Sequence, residues 1–354
     1  MGHCANAIAV PPIAGPAYTS RQFAEDSAMI RKQRNTIIAA CTFAALASCG
    51  GGDTADTTVP NPTGDGLAAI SLENSTPIAG AVAGVALGDG VFGTLLDVDL
   101  PAIPGGVGTI LTGATKYANP SQVFETVSGS LDCAVSGTVD IDVTIADPFL
   151  PTEGDIYALQ FTACDEGTGT VTSGGMIIAI TGLGGDFGTE QFLLGLSLEL
   201  SAFQVTEAGE TTGASGTIAV EFDSTMPPLT TITVSTSALA TSGDSSAEAV
   251  TNLTVTISED ESMFPTAVSV DTSFTISSPT IGGEVMVSTS LTLQSSGDEY
   301  PYVGELRITG AENSIIVLIA LDANRVRLEI DIGGDGTIDD SVEMTWDELL
   351  ATPG

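Results

Sequence analysis

From Leu131 onward, apolar and polar residues alternate with a period of two over one segment after another. Val139, Ile141, Val143 and Ile145 are interleaved with Asp and Thr, and Leu194, Leu196, Leu198 and Leu200 with Gly, Ser and Glu. Ile218, Val220 and Phe222, then Leu253, Val255 and Ile257, then Val268 and Val270 repeat the pattern. Successive side chains of a strand point to opposite faces, so this alternation predicts strands with one dry and one wet face, the habit of antiparallel sheets. The links at 213–216, 242–246 and 295–298 are short and rich in Gly, Ser and Asp, as hairpin connections are. Residues 67–354 are therefore expected to form a single all-β domain of ten or more antiparallel strands. Its large sheet is expected to make a sandwich or an open, curled barrel.

Two short segments break the alternation. Ile78, Val82, Val85 and Ala86 recur at helical spacing behind Ser75 or Thr76 as a cap and Pro77 at the first helical position. So short and Ala/Gly-rich a helix must pack on the sheet to persist. Near the C-terminus, Thr345-Trp346-Asp347-Glu348 is a capping box for a last helix through Leu350, with Trp346 placed to pack on the sheet. Gly88-Asp89-Gly90-Val91-Phe92-Gly93 fits the dinucleotide-binding fingerprint letter for letter. That fingerprint needs a strand before it and a helix after it, whereas here a helix precedes and a proline-marked stretch follows, so it reads as a glycine-rich turn.

The N-terminal region has a different organisation. Arg31, Lys32 and Arg34 precede an apolar run from Thr36 to Ala47, which is too short to span a bilayer and is ended by Gly50-Gly51-Gly52-Asp53. With Leu46-Ala47-Ser48-Cys49 at its end, residues 29–48 resemble the signal peptide of bacterial lipoproteins. The resemblance implies cleavage before Cys49 and a diacylglycerol on its thiol. Gly50 after that cysteine implies, by the same likeness, passage to the outer membrane. The alternative is an ordinary secretory signal in which Cys49 is incidental. Residues 1–28 are expected to be a leader or an artefact of start-site choice, and residues 49–66, rich in Gly, Thr, Asp and Pro, a flexible tether.

Charge and the scarcity of reactive side chains then narrow the function. The 354 residues carry a formal net charge of −37. Arg21, Arg31, Lys32 and Arg34 precede Cys49, leaving Lys116, Arg307, Arg325 and Arg327 as the basic residues beyond it. Such a surface repels nucleic acid and anionic lipid headgroups. The one histidine, His3, also precedes Cys49, so Ser-His-Asp and Cys-His catalysis and His-ligated zinc lie outside the repertoire of a chain cut there. Among 45 acidic residues no glycosidase-type carboxylate pair stands out. The chain is expected to be non-catalytic, a membrane-anchored binding or envelope-scaffolding module. The alternative is a carrier of a lipid or other hydrophobic ligand in a curled sheet. An outer-membrane barrel fits less well, because the chain has one Trp and five Tyr and so lacks aromatic girdles.

Two constellations remain. Cys133 and Cys164 are the cysteines left beyond Cys49, and in an exported chain they are expected to pair as a disulfide. Asp331, Asp335, Asp339 and Asp340 gather around a glycine-rich segment, a composition suited to Ca²⁺, which takes six to eight oxygens. Laid on the EF-hand pattern from Asp331, Gly336 and Asp339 fall at the right places, but Gly333 and Val342 stand where ligands belong. Asp335-Gly336 also reads as a two-residue hairpin turn between strands ending at Ile332 and restarting near Ile338.

Overall fold

The alternating segments form strands hydrogen-bonded in sequence order. They are β1 (Glu125–Asp132), β2 (Ser136–Ile145), β3 (Ile156–Asp165), β4 (Thr170–Asp186), β5 (Gln191–Glu207), β6 (Glu210–Met226) and β7 (Leu229–Ser242). The series continues with β8 (Ala247–Asp260), β9 (Ala267–Ser278), β10 (Gly283–Ser296), β11 (Val303–Thr309), β12 (Ile315–Asp322), β13 (Arg325–Asp331) and β14 (Asp340–Thr345). A computed structural model describes residues 66–87, 125–147, 151–165, 167, 169–186, 191–207, 209–243, 247–297 and 299–351, all within one unit, Asp53–Gly354. The predicted lipobox with Cys49, the tether and the Gly88–Gly93 turn lie outside the described residues.

The strands make one 14-stranded antiparallel meander, in which every strand pairs with its sequence neighbours and β1 does not pair with β14. The described residues are thus all-β with two short α-helices, in one sheet that is not closed into a barrel. Antiparallel neighbours need only short links, which is why a chain of many short turns adopts this order.

Long strands in this sheet do not run straight. Leu200 and Phe203 are both buried although three residues apart, as are Phe161 and Cys164, and Val250 and Leu253. A regular strand would put the members of each pair on opposite faces. Bulges resolve the conflict: the register shifts between Phe161 and Cys164, between Leu200 and Phe203, and between Thr251 and Thr254, with Ala163, Ala202 and Asn252 at φ 45, 46 and 52°. Gly137 on β2 and Gly174 on β4 sit against the bulges of β3 and β5, where a Cβ would lie 2.1 Å from the Ala163 or Ala202 carbonyl oxygen. Bulges bend the strand that carries them, so these neighbouring bulges crease the sheet while keeping both arms' apolar side chains on one face.

The first helix, α1 (Ser75–Ala86), begins at Asn74 as N-cap, so Pro77 falls at the third helical position rather than the first. Proline is tolerated there because the N–H groups of the first turn have no intrahelical acceptor. Asn74 makes no side-chain cap bond within the helix; its Oδ1 accepts from the Ser71 N–H at 2.7 Å. Ile78, Val82 and Val85 are buried, and α1 lies against β12, β13 and the last helix, α2 (Trp346–Leu350). The predicted capping box of α2 is formed: the Glu348 N–H donates to Thr345 Oγ1 at 3.1 Å and the Thr345 N–H donates to Glu348 Oε2 at 2.8 Å. One apolar cluster runs from Val139 on β2 through α1 to Trp346.

Cys133, just after β1, and Cys164, in the bulge of β3, form a disulfide with Cα atoms 5.5 Å apart and a sequence separation of 31. Closing a loop of that length contributes about 3–4 kcal/mol by the chain-entropy estimate. The bond fastens the first hairpin to the creased body of the sheet.

Candidate functional site

The most unusual surface lies at one end of the sheet, where two hairpins finish in apolar turns. Asp223 Oδ1 accepts from the Thr225 N–H at 2.9 Å and the Thr225 hydroxyl at 2.6 Å, which shapes the end of β6 before Met226-Pro227-Pro228-Leu229. The same device recurs between β8 and β9: Asp260 Oδ1 accepts from the Ser262 N–H at 2.9 Å and the Ser262 hydroxyl at 2.6 Å, ahead of Met263-Phe264-Pro265. Both turns contain a cis X-Pro bond, and the Glu261 N–H donates to the Pro228 carbonyl at 3.1 Å, so the two tips stand side by side. Met226 is 77% exposed, Met263 56% and Leu229 44%, and Phe264 is fully exposed. Turn tips are ordinarily polar, and contiguous exposed apolar side chains mark interaction surfaces.

Apolar character continues inward from the tips. Phe192 and Phe222 stack with centroids 5.0 Å apart, and Leu194, Leu196, Val220, Ile232 and Ile257 on the dry face of this arm are only half-buried. Carboxylates surround the tips: Asp223, Glu259, Asp260 and Glu261 are close in sequence, and the Gly297 N–H bonded to the Thr266 carbonyl at 2.9 Å brings the turn with Glu299 alongside. Hydrogen bonds from Thr225 and Ser262 hold the Asp223 and Asp260 carboxyls below the usual carboxylate range, so these two stay ionised. Of the described arginines, Arg307 lies on β11 and Arg325 and Arg327 on β13, the latter two paired with Asp322 at 2.7 Å and Glu329 at 2.9 Å.

The first described segment lies at the opposite end of the sheet, here called the entry end. The Ala68 N–H donates to the Glu284 carbonyl at 2.7 Å and the Ala311 N–H to the Ala68 carbonyl at 2.7 Å, which fixes the segment after Gly66 beside the start of β10 and the end of β11. The 14 residues of β7 run from the tips toward this end.

The predicted acidic loop is also at the entry end. Its strands end at Asp331 and restart at Asp340, so residues 332–339 form a longer connection than the two-residue Asp335-Gly336 turn expected from sequence. Carboxylates close it: Asp331 Oδ2 accepts from the Gly336 N–H, Asp335 Oδ1 from the Thr337 N–H and Asp339 Oδ2 from the Ile332 N–H, each at 2.8 Å. Asp340 Oδ1 accepts from the Ser341 N–H at 2.8 Å. Among the described residues no three acidic side chains converge on one point. Asp331 is 3% exposed, and its Oδ1 has no hydrogen-bond partner.

A second buried carboxylate, Asp155, is fully engaged. Its Oδ1 accepts from the Ala146 N–H at 2.9 Å and the Thr152 hydroxyl at 2.7 Å, and its Oδ2 from the Thr152 N–H at 2.8 Å, which pins the β2–β3 connection. Burial, aided by the Asp155 charge, pushes the neighbouring Tyr157 phenol up to about 12. On the sheet surface, Thr181, Gly195, Glu221 and Ser235 line a shallow depression of about 180 Å³. No helix among the described residues is long and apolar enough to cross a membrane.

No protein-family model matches this sequence, and no curated protein sequence is significantly similar to it.

Proposed function

We propose that the chain is an exported lipoprotein, tethered through Cys49 and working without catalysis as a docking module whose binding surface is the apolar, acid-rimmed end of the sheet. The observation that carries this reading is the pairing of two hairpin tips that expose Met226, Leu229, Met263 and Phe264 while Asp223 and Asp260 remain ionised beside them. A convex apolar tip fits a pocket, and a ring of carboxylates fits a pocket rimmed by Lys and Arg. A second copy would bring the same acidic rim against this one.

A photo-crosslinking residue at position 226, in cells making the full-length protein, is expected to give one discrete adduct that weakens in high salt. Phe264→Asp should reduce it by about tenfold or more, as removal of a central aromatic anchor does. The same crosslinker at position 282, at the entry end, should give none. Equal adducts at both ends, or an adduct indifferent to Phe264→Asp, contradict the proposal. The second reading, a carrier of a hydrophobic ligand, is favoured by the half-buried dry face near the tips. It ranks behind because the apolar side chains of that face are half-buried, whereas Met226, Met263 and Phe264 at the tips are exposed outright.

A further inference from the structure

The strongest feature that docking does not use is the buried carboxylate at the base of the acidic loop. Asp331 closes β13 with only 3% of its surface exposed. One of its oxygens is committed to the Gly336 N–H across the loop, which aims the carboxylate into the 332–339 segment, and the other has no hydrogen-bond partner. Leaving an anionic oxygen buried and unpartnered is costly, and such groups are normally satisfied by a donor or a cation. No arginine serves: Arg327, on the same strand, is paired with Glu329 at 2.9 Å. The same loop carries further oxygens. Asp335 and Asp339 each spend one carboxylate oxygen on a loop N–H. Gly334, at φ +63°, lies so close to the 311–313 turn that a Cβ there would sit 2.6 Å from the Asn313 carbonyl oxygen and 2.8 Å from that of Glu312.

We infer that this loop is a Ca²⁺ site, with Asp331 Oδ1 as its buried anionic anchor and the free oxygens of Asp335 and Asp339, backbone carbonyls and water completing the shell. The donor set is all oxygen, with no His or Cys nearby, which selects a hard cation. Ca²⁺ accepts irregular shells of six to eight oxygens, whereas Mg²⁺ demands near-ideal octahedral geometry. Because three acidic side chains do not already converge, the loop must adjust to close on the ion. That places the affinity in the 10⁻⁴ to 10⁻³ M range of extracellular modules. The site is independent of the apolar tips and of Cys49.

Thermal unfolding of purified full-length protein in CaCl₂ and in MgCl₂ at matched ionic strength tests the inference, the magnesium arm removing the general attraction of divalent ions to a chain of charge −37. At ten times its dissociation constant, Ca²⁺ is expected to lower the unfolding equilibrium constant about 11-fold and in a saturable way, with Mg²⁺ well below it. Asp331→Asn should abolish the calcium-specific increment while leaving the calcium-free protein at least as stable, since the orphaned charge is gone. Asp335→Asn, at an exposed position that cannot compromise the core, should weaken the calcium response several-fold. Equal effects of the two ions, or a calcium increment that survives both substitutions, overturn the inference.

Discussion

Replacing Trp346 by alanine is expected to lower the free energy of unfolding by about 3–5 kcal/mol, the range for deleting a large aromatic side chain from a core. Trp346 is 1% exposed and lies at the start of the capped helix α2, which packs on α1. Its indole stacks on Tyr300 at 5.9 Å, and its Nε1–H is shared between the Pro301 carbonyl at 3.2 Å and the Asp322 carbonyl at 3.3 Å. The substitution opens a cavity where the two helices and the β11 end of the sheet meet, and it takes the donor from two carbonyls. Trp346→Phe, which keeps most of the volume and the stack, should cost about 1–2 kcal/mol for the lost donor and the residual space. Urea unfolding followed by circular dichroism compares all three proteins; fluorescence cannot, because this is the only tryptophan. Equal losses for Ala and Phe would mean that the hydrogen bond, not the packing, is what holds α2.

Gly174→Ala should cost about 3–5 kcal/mol, from two separate causes. At φ +96° an L side chain is strained, and the new methyl would sit 2.1 Å from the Ala202 carbonyl oxygen and 2.7 Å from the Phe203 Cα. Those are backbone atoms of the neighbouring bulge, which cannot swing aside, so the crease itself must shift. Gly154 separates the causes. It has φ +95° but no atom within 4 Å of the added methyl, so Gly154→Ala should show conformational strain alone, about 1–2 kcal/mol. Similar unfolding midpoints for the two variants would show that β4 and β5 can part at the crease without loss.

Much of this architecture is legible in the sequence, because a period of two is a local property. Val139 to Ile145 and Leu253 to Ile257 read as strands with a dry face, and they are. The capping box of α2 and the Cys133–Cys164 bridge follow from residue types alone. The crease follows from spacing, since Leu200 to Phe203 and Val250 to Leu253 slip the alternation by one; such a slip reads as a strand end when the partner strand is unknown. Choosing one continuous meander over two stacked sheets needs the long-range pairing, which no local pattern encodes. The 332–339 loop is less legible still. Asp335-Gly336 carries the dipeptide signal of a tight turn, but the loop's width is set by Asp331 and Asp339 reaching back to N–H groups five and seven residues away. Met226 to Leu229 and Met263 to Pro265 escape a search that expects polar turns, although Met and Phe beside proline in a turn are the signal that marks the tips.

The role proposed for the chain hangs on Cys49, since a docking module of this kind works from a membrane. The most direct measurement is metabolic labelling of cells with an alkyne fatty acid, followed by mass determination of the N-terminal peptide of the purified protein. The predicted result is a chain that starts at Cys49 and carries the label, with both the new terminus and the label lost in Cys49→Ser. An unlabelled chain starting elsewhere, in cells whose other lipoproteins are labelled, would contradict it.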